Sequence, residues 1–232
     1  MTPRPEISVV IPVYNGEAYL AEAIESVLAQ SLPPAEVVVV DNGCTDASRQ
    51  IATGFGPAVR VVSIPHGPAP AARNVGVEHA TRELLAFNDA DDVWEPCRLA
   101  AGVDALRGPQ RPDLVFGHLH EFQSPELSEA QRAGLPAPRG VVPGLVIITL
   151  LCELATFRRV GPLNADLPAA DFLDWLARAR DLGCTERMLE TVVARRRVHT
   201  ANTVWTSRSS DLTTALRAVI QRRARANEAQ GD

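Results

Sequence analysis

The sequence predicts an α/β fold: a mostly parallel central sheet flanked by helices, in a single compact domain. Three observations lead there. Over the first hundred residues, short apolar β-branched runs alternate four times with segments of helical periodicity, as in successive βαβ units. The runs end in polar or turn-forming residues, as at Tyr14-Asn15-Gly16 and Asp41-Asn42-Gly43. A chain of 232 residues, 46% of them hydrophobic, is long enough to bury a core of that size.

Ile7 to Val13 (ISVVIPV) is the first strand, short and almost continuously apolar. Glu17 to Gln30 is a helix with Leu20, Ile24, Val27 and Leu28 on one face, and Pro33-Pro34 bars its continuation. Glu36 to Val40 is the second strand; Thr45 or Asp46 then caps a short helix through Thr53 that Gly54 closes. Val59 to Ile64 is the third strand. A Gly/Pro/Ala-rich loop, His66 to Ala72, leads into a helix from Arg73 to about Ala80, and Leu84 to Phe87 is the fourth strand. Right-handed crossovers bring the ends of all four strands to one edge. Ligands of open α/β sheets bind outside that edge, so Tyr14, Asp41, Asn42, Arg73, Asp89 and Asp91 are expected on one rim.

Beyond Pro96 the pattern gives a helix to about Arg107 and a strand, Asp113 to Phe122. Residues 123–140, with three prolines, form a long loop able to border a substrate site. The apolar stretch Val141 to Val160 divides into a strand and a short helix near Glu153 to Arg159. Ala169 to Leu182 is an amphipathic helix with Phe172, Leu173, Leu176 and Ala179 inward, ended by Gly183. Arg187 to Val198 reads as a strand, and Asp211 to Ala226 as a terminal helix.

Composition narrows the function. A net charge of -5 argues against a nucleic-acid binder that relies on overall basicity. All 23 basic residues are Arg, a compositional bias without chemical content. Cys44, Cys97, Cys152 and Cys184 lie far apart with no C-x-x-C pair, which suits a reduced cytoplasmic protein better than a disulfide scaffold or zinc site. The short polar start, Met1 to Glu6, gives no signal peptide, and Val141 to Leu151 is too short and too interrupted to cross a bilayer. His118 and His120 alternate on one strand without a third ligand and carry no metal-site signal.

The chemistry concentrates where the apolar run Leu84 to Phe87 drives into Asn88-Asp89-Ala90-Asp91-Asp92. Burying an unpartnered carboxylate is costly, so acids at a strand end face a cleft, a cation or water. Two aspartates one residue apart can share a hard divalent ion that also grips a diphosphate. On its own the pair suits a solvated turn with an N-cap equally well. Tyr14 offers an aromatic face to a nucleobase or a cover for the core. Arg73 offers a planar fork for a phosphate or a base edge.

Residues 8–30 (SVVIPVYNGEAYLAEAIESVLAQ) resemble the opening of family 2 glycosyltransferases, which have the Rossmann-like GT-A fold. VVVVDNGCTD at 37–46, Ala72-Arg73-Asn74-Val75-Gly76, and Asn88 to Trp94 match three further blocks of that family in order and spacing. The resemblance implies a nucleotide-sugar-binding half over residues 1–110 and an acceptor-binding, base-supplying half over 111–232. It implies nucleotide contacts from Pro12, Tyr14, Asn15, Asp41, Asn42, Arg73, Asp89 and Ala90, although Asn15 by itself suits a turn or N-cap better. Asp91 is the implied metal ligand, with Asp89 on the ribose or a metal-bound water, and Asp92 is expected to cap the next helix.

Family members carry an acidic pair after the second strand that helps read the base; here the pair is Asp41-Asn42. An amide both donates and accepts, whereas a carboxylate only accepts, so restoring an acid at position 42 is expected to sharpen preference for uridine. The family's catalytic base stands four residues before a Trp at a helix start. Asp171 and Trp175 have that spacing, with Ala170 where a first acid is usual, and Asp174 is expected to pair with Arg178 on the helix surface. Arg197-Val198-His199-Thr200-Ala201-Asn202 is similar to a family segment beside the diphosphate, which implies Arg197 as a phosphate ligand and His199 as a second metal ligand.

The implied activity is inverting transfer of a sugar from a nucleotide-diphospho-sugar, a UDP-sugar foremost, with Mn²⁺ or Mg²⁺. The acceptor is a saccharide, natural product or peptide hydroxyl, and the protein is expected to be cytoplasmic, with a homodimer left open and no nucleic-acid partners. Two alternatives stand beside it: a nucleotidyltransferase on a similar sheet, and a nucleotide-sugar-binding module without turnover.

Overall fold

Four apolar runs set the first half. In a computed structural model that describes residues 5–200, they form strands β1 (Ile7–Val13), β2 (Glu36–Asn42), β3 (Arg60–Ile64) and β4 (Leu84–Phe87). They pair in parallel in the order β3-β2-β1-β4. Helices α1 (Leu20–Leu28), α2 (Ser48–Gly54) and α3 (Ala69–His79) connect them. The register sets Val13 opposite Asp41 and Asn42 opposite Ile64, so the strand ends meet along one edge as expected.

Two boundaries differ from the sequence reading. Helix α1 begins at Leu20 because Asn15 turns the chain with a left-handed φ of 50°, and residues after it complete a turn first. Helix α3 begins at Ala69, so most of the expected His66–Ala72 loop is helical; Pro70 falls in the first turn, where its missing N–H leaves no bond unmade.

The second half consists of β5 (Val93–Trp94), α4 (Arg98–Leu106), β6 (Leu114–Gln123), α5 (Glu129–Ala133), β7 (Val141–Gly144), β8 (Leu151–Glu153), α6 (Leu154–Val160), α7 (Asp171–Asp181) and β9 (Glu186–Val198). It extends the same sheet as β8-β6-β9-β5, with β7 on β6. Here the pairing is mixed: β8 runs antiparallel to both β4 and β6, while β9 runs parallel to β6. The expected loop at 123–140 holds one short helix, α5, capped by Ser128 and Gln131 in a reciprocal pair of bonds.

On α7 the buried face is Phe172, Trp175, Leu176 and Ala179; Leu173, expected inward, is 43% exposed. The shift reflects Trp175, which is fully buried, donates its indole N–H to the Gly161 carbonyl at 3.0 Å, and stacks between Phe157 and Phe172. The expected helix at 211–226 lies outside the described residues. No helix among the described residues is long and apolar enough to cross a membrane, and all four cysteines are free thiols.

Two features place the rim. β5 pairs antiparallel with β9, Val93 opposite Arg195 and Trp94 opposite Ala194, so the acidic turn before β5 meets the end of β9. Behind that turn lies Arg98, 2% exposed, whose guanidinium donates only to the carbonyls of Phe87, Ile148 and Leu150 and stacks 3.7 Å over Trp94. Burial with no carboxylate beside it lowers its pKa to about 9.

Gly76 lets α3 pack tightly on β1: a Cβ there would stand 2.2 Å from Val10 Cγ1. Helix propensity alone favours Gly76→Ala by about 1 kcal/mol. Overpacking costs about 1–3 kcal/mol and should win. Denaturant titration is expected to show a destabilised variant; a stabilised one would mean α3 can lift from the sheet at no cost.

Candidate active site

A cavity of about 400 Å³ opens at the sheet edge where β1, β2 and β4 end. Of the residues expected there, Pro12, Tyr14, Asn15, Asn42, Arg73, Asp89, Ala90, Asp91 and His199 line it. Asp41, Asp171 and Arg197 do not.

The centre is a buried arginine between two carboxylates. Arg73, on the first turns of α3, donates from Nη2 to Asp89 Oδ1 at 2.7 Å and from Nη1 to Asp171 Oδ2 at 3.2 Å. The two acids raise the pKa of Arg73 despite its burial. Burial pushes the Asp171 carboxyl up; Arg73 pulls it back, but its shorter bond goes to Asp89 and the net direction is upward. Asp174 does pair with Arg178, at 2.9 Å, yet it is buried rather than on the helix surface.

The second group forms where β9 returns. His199 Nε2 lies 2.8 Å from Asp91 Oδ2. The Tyr19 ring packs on His199 at 4.6 Å, and its hydroxyl bonds Glu126. Burial, then the bond to Glu126, raises the Tyr19 pKa. Glu126 shows the reverse balance: its slight burial acts upward, but bonds from Ser124 and Tyr19 bring it down to about 2.

Arg197 corrects the sequence expectation. Its side chain is 4% exposed and turned from the cavity, with Nε on the Asp91 carbonyl at 3.0 Å, Nη1 on Ser124 Oγ at 3.0 Å, and Nη2 on Glu22. Its guanidinium also lies over the rings of Tyr19 and Phe122. It braces the acidic turn, and the neighbouring Arg196 is the arginine of β9 that lines the cavity. Asp92 is likewise not a helix cap: Cys97 precedes α4, and Asp92 accepts the Arg197 backbone N–H at 2.9 Å. Burial first, then Asp91 and Asp89, push the Asp92 carboxyl well up.

At the end of β2 both expected base readers serve the loops. Asp41 is buried and accepts the Cys44 N–H and the Ser63 hydroxyl, each at 2.9 Å; burial acts upward, but these bonds prevail and lower its pKa. Asn42 lines the cavity, but its amide clasps the backbone of Gly67. Asn15 holds the turn, as its residue type suggested, by accepting the Thr45 N–H at 2.8 Å. Tyr14 is 49% exposed, with one face against His66.

Among the described residues no group of three or more His, Cys, Asp or Glu is placed to hold a metal by itself. A carboxylate and an imidazole do meet on the cavity, at Asp91 and His199. That donor pair fits a divalent ion of the Mn²⁺ or Mg²⁺ kind whose remaining positions are filled by phosphate oxygens and water.

Tyr19, Ser124, Glu126 and Arg196 escaped the sequence reading. Tyr19 stands one residue before α1 and meets Glu126 across 107 positions, a separation that no local pattern reports. Arg196 sat next to the residue chosen. Strand alternation sets it on the face opposite Arg197 but does not tell which face meets the cavity.

This sheet, with paired acids beyond β4 and a mixed extension, is the GT-A fold. S. aureus TarS 1–349 in complex with UDP-GlcNAc superposes with a TM-score of 0.74 at 19% identity, over 92% of this chain and 65% of that one. A mannosyltransferase from Pyrobaculum calidifontis, in complex with GDP-Man and Mn²⁺, gives 0.62 at 22% identity over 87% and 59%. The chain belongs to glycosyl transferase family 2, whose model matches residues 8–139. Among curated relatives, an uncharacterized glycosyltransferase of Rickettsia conorii is 28% identical over 184 residues, 72% of this chain and 30% of its own length. Glycosyltransferase AglE of Haloferax volcanii is 30% identical over 195 residues, 77% of this chain and 62% of its own. The chain thus spans less than two thirds of either relative.

The two adjacent arginines should separate cleanly. Arg197→Ala removes charge-assisted bonds under the acidic turn and should cost at least about 2 kcal/mol in denaturant stability. Arg196→Ala should leave stability within about 0.5 kcal/mol. Equal losses from both would mean that the bracing of the turn is not specific to Arg197.

Proposed function

We propose that this domain transfers a sugar from a nucleotide-diphospho-sugar, a UDP-sugar foremost, to an acceptor hydroxyl with inversion at the anomeric carbon. The observation that carries this reading is the Arg73 guanidinium, held between Asp89 on the cavity and Asp171 at the start of α7. It joins a donor-side acid to an acid in the half expected to meet the acceptor. Family membership and the UDP-GlcNAc carried by the TarS neighbour support the donor class.

In this reading the donor's base lies against Tyr14 and its diphosphate lies near Asp91 and Arg196. Asp91 and His199 would hold Mn²⁺ or Mg²⁺, which would supply positive charge against the leaving diphosphate. Asp171 accepts the proton of the acceptor hydroxyl as that oxygen bonds the anomeric carbon from the face opposite the diphosphate. The carbon–oxygen bond to the diphosphate breaks, and nucleoside diphosphate departs with the electron pair. Arg73 fixes the Asp171 carboxylate in orientation without touching the reacting atoms. The test is product analysis with UDP-sugars and simple acceptors. Release of UDP supports transfer, whereas release of inorganic diphosphate would favour nucleotidyl transfer instead.

Asp91→Ala should abolish Mn²⁺-dependent nucleotide binding while the variant still folds, because the residue lies beyond a strand end. Calorimetry showing unchanged Mn²⁺-dependent affinity would remove Asp91 from the metal site.

The raised pKa of Asp171 has two consequences of opposite sign. A base must be ionised, so transfer should fall as the pH drops through that raised value. The folded state holds the Asp171 proton more tightly than the unfolded chain does. This group therefore favours folding at low pH and loses that contribution as the pH rises through the folded value. Asp171→Asn should accordingly lose about 10²–10⁴-fold in single-turnover rate, with no loss of Tm at pH 7. Full activity in Asp171→Asn together with a dead Asp174→Asn would move the base one helical turn.

A further inference from the structure

The loop between β3 and α3 is fastened to the end of β2 by three separate contacts. Asn42 Nδ2 donates to the Gly67 carbonyl at 2.8 Å, and Asn42 Oδ1 accepts the Gly67 N–H at 3.0 Å. A backbone carbonyl only accepts and a backbone N–H only donates, so this clasp fixes which way the amide points. His66 Nδ1 lies 3.2 Å from the Asn42 carbonyl oxygen, which makes Nδ1 the protonated nitrogen. Gly43, at a φ of 75°, lets the loop lie flat: a Cβ there would stand 2.6 Å from the His66 backbone nitrogen.

The result of this fastening is a stacked pair. The rings of His66 and Tyr14 lie 3.9 Å apart at 27°. Tyr14 lines the cavity, while His66 is not among its lining residues. The imidazole thus covers one face of Tyr14 from a position outside the cavity lining.

We propose that His66 is a positioning residue of the nucleobase site, clasped to β2 by Asn42 so that it backs the Tyr14 ring as a stacking platform. This rests on the nucleotide-sugar reading and extends it to residues outside the cavity. A half-exposed tyrosine free to rotate must be ordered when a base stacks on it, whereas a ring already held from behind binds without that loss. The amide at 42 then has a structural reason. A carboxylate there would keep the bond from the Gly67 N–H but set an oxygen against the Gly67 carbonyl, and the loop bearing His66 would be pushed off. Restoring an acid at 42 is therefore expected to weaken base binding, the reverse of what the sequence comparison suggested.

Calorimetry with UDP, GDP and ADP, and separately with inorganic diphosphate, each with Mn²⁺, tests this on the full chain. His66 is exposed, so His66→Ala should fold. It should weaken the preferred nucleoside diphosphate roughly 10-fold, within the range of single base–aromatic stacks, and leave inorganic diphosphate unchanged. His66→Phe, which keeps a ring behind Tyr14, should restore most of the loss, and Asn42→Asp should reproduce it. Unchanged nucleotide affinity in His66→Ala would overturn the proposal. So would an equal loss for inorganic diphosphate, since the effect would then not run through the base. If the unaltered protein binds inorganic diphosphate but no nucleoside diphosphate more tightly, the nucleotide-sugar reading fails, and this one with it.

Discussion

The buried Arg73 guanidinium keeps its charge because two acids meet it. Asp89 stands 16 residues away in sequence and Asp171 stands 98 away. Satisfying one cation therefore fixes the acidic turn against the start of α7. The Asn74 side chain adds to this from the next position of α3, bonding the Leu163 backbone through both its amide atoms at 2.8 and 2.9 Å. The helix that follows β3 thus holds the second half of the chain in place over the rim of the first.

The opposite wall is built by strand pairing. β9 runs parallel to β6 and antiparallel to β5, so its last residues are delivered beside Asp91 and Asp92. Three residues within four positions then take different tasks. Arg196 faces the cavity, Arg197 anchors the turn from beneath, and His199 meets Asp91. The turn is held from behind by Arg98, which bonds the last carbonyl of β4. Backbone held on two sides keeps Asp89 and Asp91 aimed at the cavity with little reorganisation, the condition under which charged groups act most strongly on a bound anion.

The sequence made the parallel half legible because its signals are local. Apolar runs, turn residues and the acid-rich strand end each lie within a few residues and predict one edge. Eight of the nine proposed residues that line the cavity come from that half, His199 being the exception. What local pattern could not reveal is whether a polar side chain at that edge faces a ligand or another part of the fold. Asp41 meets Ser63 across 22 residues, and Arg197 meets Glu22 across 175. Both have the right residue type in the right place, and both are taken up by internal partners. Leu173 shows the same limit on a helix, where the burial of Trp175 sets the rotation that periodicity left loose.

The two departures from the family pattern are consistent with this packing. Asn42 makes a clasp that only an amide can complete, since one of its atoms must donate and the other accept. Ala170 is 1% exposed and packs with Leu167 immediately before α7. An acid at 170 would bring a second carboxylate into the buried space beside Asp171, whose own carboxyl is already pushed up by burial. The nearest cation is Arg73, and it is already shared between two acids. Like charges at a desolvated site raise one another's pKa, so a further acid would push the Asp171 carboxyl higher still. With alanine at 170, Arg73 has only Asp89 and Asp171 to meet.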